Sequence, residues 1–146
     1  MKPLKKKRIF SRGEADTLLP ELKKRLELLR TKKEAYSRTH DFLFMHELVC
    51  MAERTHGLLE EKDDLEDGIH AFEEALEDLA KDIEAISAMG CFLRNIEKGH
   101  VEFFGTHEGQ PVYFSWWFGE SCISYYRPFG RKVHERIPLP GRSATR

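Results

Sequence analysis

The chain has 146 residues, 40% of them hydrophobic and 34% charged, with a formal net charge of −1. That length fits a single domain with a modest core. A near-neutral balance excludes a global field that would recruit nucleic acid or a membrane surface. No apolar run reaches the roughly 20 residues needed to cross a bilayer, and no signal-peptide pattern opens the chain. Cys50, Cys91 and Cys122 are widely spaced and form no CxxC pair. They predict no disulfide framework and no structural zinc site, and they place the chain in a reducing cytoplasm.

Residues 1–10 read as a basic arm with room for a short strand. Lys2-Pro3-Leu4-Lys5-Lys6-Lys7-Arg8 is read as a solubilising terminus in preference to a nucleic-acid arm, because a binder repeats basic charge along a folded face. Ser11 and Glu14 make a capping box, so a helix is predicted from about Arg12. Pro20 predicts a kink or a brief break near Leu18–Leu19. Leu22, Leu26 and Leu29 line one side of this helix, and Lys23, Lys24, Arg25, Arg30, Lys32 and Lys33 make it basic.

From Asp41 the apolar phase changes. Phe42, Met45, Val49, Ala52 and Leu59 form a new stripe, which predicts a turn around Ser37–Asp41. Gly57 and Lys62-Asp63-Asp64 mark the next boundary, with Asp63 or Asp64 as the cap of a third helical segment.

Leu65, Ile69, Phe72, Leu76, Leu79, Ile83 and Ile86 are spaced alternately four and three apart, with acidic residues between them. This is a coiled-coil-like seam of about three heptads. Its opposite charge to the first helix predicts that the two lie side by side. Gly68 weakens its start, and Gly90 ends it as a left-handed cap.

Beyond Gly90 the period becomes two. Residues 92–96 read as a linker. Strands are predicted over 100–105, 111–118 and 121–126, with turns at Glu108-Gly109 and Gly119-Glu120 and a short return segment over 136–139. Two-residue loops set Val101 and Ile123 opposite Trp116, and Phe103 and Tyr125 opposite Phe114. That register gathers Val101, Phe103, Val112, Phe114, Trp116, Ile123 and Tyr125 on a face for the helices to cover. The other face then carries His100, Glu102, Phe104, Tyr113, Ser115, Trp117, Cys122, Ser124 and Tyr126. Four aromatic rings among polar groups make this an expected interface or ligand platform.

The N-terminal pattern Phe10, Glu14-Ala15, Leu18-Leu19-Pro20-Glu21-Leu22 and the C-terminal pattern Lys98-Gly99-His100-Val101-Glu102-Phe103, Gly109, Trp116, Gly119-Glu120, Ile123, Tyr126, Arg136 and Pro138-Leu139 resemble an uncharacterised bacterial family, domain of unknown function 2203. The resemblance implies the fold outlined above and no activity. Members usually carry Asp at the position of Glu102 and a Trp-His pair at Tyr126-Arg127, so a metal or acid–base histidine does not carry over to residue 127. Among the matching residues, Arg136 is expected to lock the return segment by an ion pair with Glu102 or Glu120.

Two constellations suggest chemistry. His46 and Cys50 share a helix face in a zincin-like His-Glu pattern without its second histidine, and read as a surface histidine and a buried thiol. His100 and Glu102, with His134 in a nearby loop, form the weak alternative of a divalent-metal or acid–base site.

The expected architecture is α+β: two or three long antiparallel helices on one face of a three- to four-stranded antiparallel sheet. The helical layer spans residues 11–90, the sheet 98–139 and a flexible tail 140–146. The leading functional expectation is a non-enzymatic binding or homo-oligomeric assembly module with no cofactor. Its candidate surface is His100, Glu102, Tyr113, Trp117, Glu120, Cys122, Tyr126 and Arg136. Nucleic-acid binding through Lys5–Arg8 is the weakest expectation, and the sequence does not identify a small-molecule ligand.

Overall fold

A computed structural model describes residues 8–55 and 62–141, with side chains for 8–53 and 67–141. The order is α1 (Arg12–Thr55), α2 (Lys62–Ala88), β1 (Phe92–Asn95), β2 (His100–His107), β3 (Gln110–Trp117), β4 (Tyr125–Pro128) and β5 (Ile137–Pro138). The fold is α+β, with the strands in one antiparallel sheet in sequence order. The sheet has five strands where three or four were predicted. The extra one is β1, because the predicted linker pairs Phe92 with Glu102 and Leu93 with Val101. No helix among the described residues is long and apolar enough to cross a membrane.

The chain divides into two compact units, Met1–Glu27 with Ile83–Arg146, and Leu28–Asp82. In the first, the capping box starts α1 as expected. Ser11 N–H donates to Glu14 Oε1 at 2.8 Å, and Glu14 N–H donates to Ser11 Oγ at 3.1 Å. The helix then runs through Pro20 with no break. Ala15, Leu19, Leu22 and Leu26 are buried, as are Ile86 of α2 and Val101, Phe103, Val112, Phe114 and Trp116 of the sheet. Phe10 continues the edge of β2 by a parallel bridge to Gly105, its N–H donating to Phe104 O at 2.7 Å. Gly90, at φ 96°, follows α2 in the left-handed region, as its cap role predicts.

The β2–β3 turn is the predicted one, with Glu108 and Gly109 both at positive φ and His107 opposite Gln110. The next connection is not. Phe114 lies opposite Tyr126 and Ser115 opposite Tyr125, one residue away from the register that a tight Gly119-Glu120 turn would set. The cause is Ile123. Its side chain is fully buried, while its backbone leaves the ladder: its N–H donates to Asp16 Oδ1 at 2.7 Å and its carbonyl accepts from Arg12 Nε at 2.9 Å. Partners on α1 satisfy the strand end, so the loop is longer than the turn motif implies. Tyr126 therefore shares the face of Phe114, and Tyr125 and Arg127 point outward, reversing the predicted faces of both tyrosines.

In the second unit α1 and α2 run antiparallel. Lys32 Nζ stands 2.9 Å from Asp78 and 2.9 Å from Asp82, the basic-to-acidic pairing expected. Tyr36 stacks on Phe72 at 4.5 Å, and a Cβ on Gly68 would overlap Leu43. The turn predicted at Ser37–Asp41 does not exist: α1 is one continuous helix. Leu29, Tyr36, Leu43 and Cys50 keep a seven-residue spacing through that region. The phase change at Phe42 marks a second face of the same helix, not its end. The seam of α2 is also displaced. Gly68 meets Leu43 and Phe72 meets Tyr36, so these positions turn toward α1. Ile69 and Leu76 are left exposed. Gly57, Leu59 and the proposed caps at Asp63 and Asp64 lie outside the described side chains, as do the basic residues 2–7.

Candidate functional site

The outer face of the sheet lies wholly within the first unit, and the register sets its residues in rows. One row runs Phe92, Glu102, Ser115, Tyr125 from β1 to β4, with His100 and Trp117 on one side and Phe104, Tyr113 and Arg127 on the other. Alternation along each strand delivers these side chains to one face.

Glu102, 0% exposed, is the centre. Its Oε1 accepts from Arg127 Nη2 at 2.7 Å and Arg94 Nε at 2.8 Å, and its Oε2 accepts from Arg127 Nε at 2.7 Å. Burial pushes this carboxyl up, but the hydrogen bonds from Arg127 and Arg94 outweigh it and hold the group below its ordinary 4.5. A second ion pair joins Arg136 to Glu120, its Nη2 donating to both carboxylate oxygens at 2.6 and 2.8 Å. This is the ion pair expected to lock the return segment. Glu120 Oε1 also accepts from Trp117 N–H at 2.8 Å, and Arg136 Nε donates to Ser115 Oγ at 3.0 Å.

Rings stack on the guanidiniums. Arg136 lies 4.0 Å from the ring centre of Tyr125 and 4.4 Å from that of Trp117, and Arg127 lies 4.8 Å from that of Tyr113. Three guanidiniums and two carboxylates thus share this face. Arg94, Arg127 and Tyr125 were not among the predicted surface residues. The signal for Arg94 was the alternation Phe92-Leu93-Arg94 in the predicted linker; Arg127 lay just past the predicted end of the third strand, where β4 continues to Pro128.

His100 is buried, and its Nε2 lies 2.9 Å from Ser115 Oγ. Burial lowers its pKa to about 4; the Glu102 charge opposes this, and Arg136, Arg127 and Arg94 add to it. The imidazole is therefore neutral at pH 7. His, Ser and Glu meet here without the geometry of a nucleophilic triad. Glu102 Oε2 approaches the same Nε2 at 3.7 Å, where a triad would set the acid on the other ring nitrogen. Ser115 is itself fully buried. Both Glu102 oxygens are taken by guanidiniums, and among the described residues no group of three or more His, Cys, Asp or Glu is placed to hold a metal ion.

The structure thus brings His100, Glu102, Tyr113, Trp117, Glu120 and Arg136 together. Tyr126 is not with them: it packs against His107 at 4.6 Å between ring centres, on the opposite face. Cys122 sits in the loop before β4, its Sγ 3.4 Å from Ser124 Oγ. His134 is an exposed loop residue. His46 Nε2 and Cys50 Sγ lie 3.7 Å apart on α1.

Nothing among the curated proteins or the solved structures matches this chain. One family model does, over residues 8–139, which takes in both helices and the whole sheet. The chain belongs to the DUF2203 family, described as an uncharacterized conserved protein.

Proposed function

We propose that this chain is a non-enzymatic assembly module that self-associates through its helical unit, Leu28–Asp82. The observation that carries the reading is the exposure of α1 beyond Asp41. Phe42 is 69% exposed, Met45 59% and Val49 54%, and Phe44, Leu48 and Met51 are exposed beside them. Single exposed apolar residues are ordinary; a contiguous group on one segment marks an interaction surface. Ile69 and Leu76 of α2 are exposed as well, and Ile69 lines a groove with Phe44, which supports association through the helical unit.

Magnitudes favour assembly. Each such side chain contributes about 1.5–3 kcal/mol when buried. Phe42, Met45 and Val49 from each of two copies then offset an association cost of roughly 4–15 kcal/mol. The sheet site supports a structural role for its polar centre, since Glu102, His100 and Ser115 are buried and partnered within the chain. Cys50, Cys91 and Cys122 form no disulfide, and the first two are buried thiols, which supports a cytoplasmic setting.

Size-exclusion chromatography with light scattering across a concentration series tests the reading. The expected result is a mass above one chain that falls on dilution. A single-chain mass at every concentration up to hundreds of micromolar contradicts it.

A further inference from the structure

We infer that two copies of this chain dock antiparallel along one face of α1, about a two-fold axis passing between Met45 and His46. The inference rests on the assembly reading and specifies its partner, orientation and register.

Starting at Arg38, steps of four, three and four lead through Phe42, Met45 and Val49, and Glu53 follows four residues on. These positions fall on one side of a helix. Leu29, Tyr36, Leu43 and Cys50 occupy the side turned to α2. The outer stripe is an apolar centre with a cation at one end and an anion at the other. Arg38 and the apolar centre are exposed, and Glu53 is half-buried.

This arrangement is self-complementary in one direction. Across a two-fold axis between Met45 and His46, Phe42 lies opposite Val49 of the second copy, and Arg38 lies opposite its Glu53. Each pair occurs twice, as an isologous contact requires. A parallel arrangement in register would instead place Arg38 against Arg38 and Glu53 against Glu53. Like charges there select against it. The matched segment is about 22 Å long at 1.5 Å per residue. Because the contact uses the same patch on both copies, it closes as a dimer and does not propagate into a filament.

Charge reversal in the full chain tests this. Arg38→Glu and Glu53→Arg are each expected to weaken self-association by on the order of tenfold, with unchanged helical circular dichroism. An equimolar mixture of the two single variants is expected to dimerise at least as tightly as the wild type, because every Arg–Glu pair is regenerated across the axis. The double variant should return to within a few-fold of the wild type. Wild-type association with unaffected single variants overturns this interface and leaves the assembly reading standing. Tighter pairing of the double variant with the wild type than of either with itself overturns the antiparallel orientation, because only a parallel contact would then set opposite charges together at both positions. A monomeric wild type overturns both the interface and the assembly reading.

Discussion

Arg127 meets Glu102 in a bidentate pair, Nε and Nη2 each 2.7 Å from a carboxylate oxygen, with the acid fully buried and the arginine nearly so. Arg94 adds a third hydrogen bond from the edge strand β1. The three residues tie β1, β2 and β4 to one acid, so loss of the pair is felt across the sheet.

Removing one partner leaves the other buried and uncompensated. Glu102→Gln is expected to destabilise the protein by about 3–5 kcal/mol, and Arg127→Met by a similar amount. The double replacement Glu102→Gln with Arg127→Met should lose less than the two single losses added together, because Arg94 is partly exposed and can turn to water. Urea midpoints of the four proteins form the cycle. Additive losses would show that the two residues act separately.

Acid sensitivity follows from His100 and Glu102. The folded pKa of His100 is depressed from 6.5 to about 4. Its contribution is therefore fully present above 6.5 and is lost as pH falls from there toward 4, because the unfolded chain takes up the proton first. At 1.36 kcal/mol per pKa unit the loss is on the order of 3 kcal/mol. Glu102, also depressed, adds a further loss as pH falls below 4.5 through its lowered pKa. The urea midpoint should drop between pH 7 and 5 in the wild type and stay flatter in His100→Gln. Equal slopes in the two proteins would remove His100 as the cause.

Two glycines should respond to the same substitution with opposite sign. A Cβ on Gly105 would run into the Phe10 carbonyl and the Phe114 ring, so Gly105→Ala should cost about 1–3 kcal/mol. Gly13, in the first turn of α1, has open space around it, and Gly13→Ala should gain up to about 1 kcal/mol. Thermal midpoints check both directions.

Local rules were legible in the sequence wherever local partners decide the outcome. Ser11 and Glu14 satisfy each other within one turn, and the Glu108-Gly109 turn fixes its own hairpin. Trp116 is buried and Trp117 points outward as predicted, because β2 and β3 are joined by that turn. Tyr126 was placed on the wrong face because its register depends on Ile123, whose backbone partners are Arg12 and Asp16, more than a hundred residues away in sequence. Glu102 and Arg136 were visible as candidates, but Arg127 was not, since the predicted strand ended at Tyr126 and β4 runs on to Pro128. On α1 a new apolar stripe was read as a new element. Two stripes on one helix look alike in sequence to two helices, and only the unbroken spacing of Leu29, Tyr36, Leu43 and Cys50 separates the cases.

The most direct test is the solvent protection of Met45 in solution. Dose-limited peroxide oxidation, read peptide by peptide by mass spectrometry, is compared between dilute and concentrated wild-type protein. In the isolated chain Met45 is 59% exposed and Met51 52%. Coverage of the Phe42–Met45–Val49 face predicts that Met45 oxidises several-fold more slowly at high concentration, in step with the rise in mass. Unchanged oxidation of both methionines across the whole range would mean that the exposed face of α1 stays bare, and that the helical unit does not assemble.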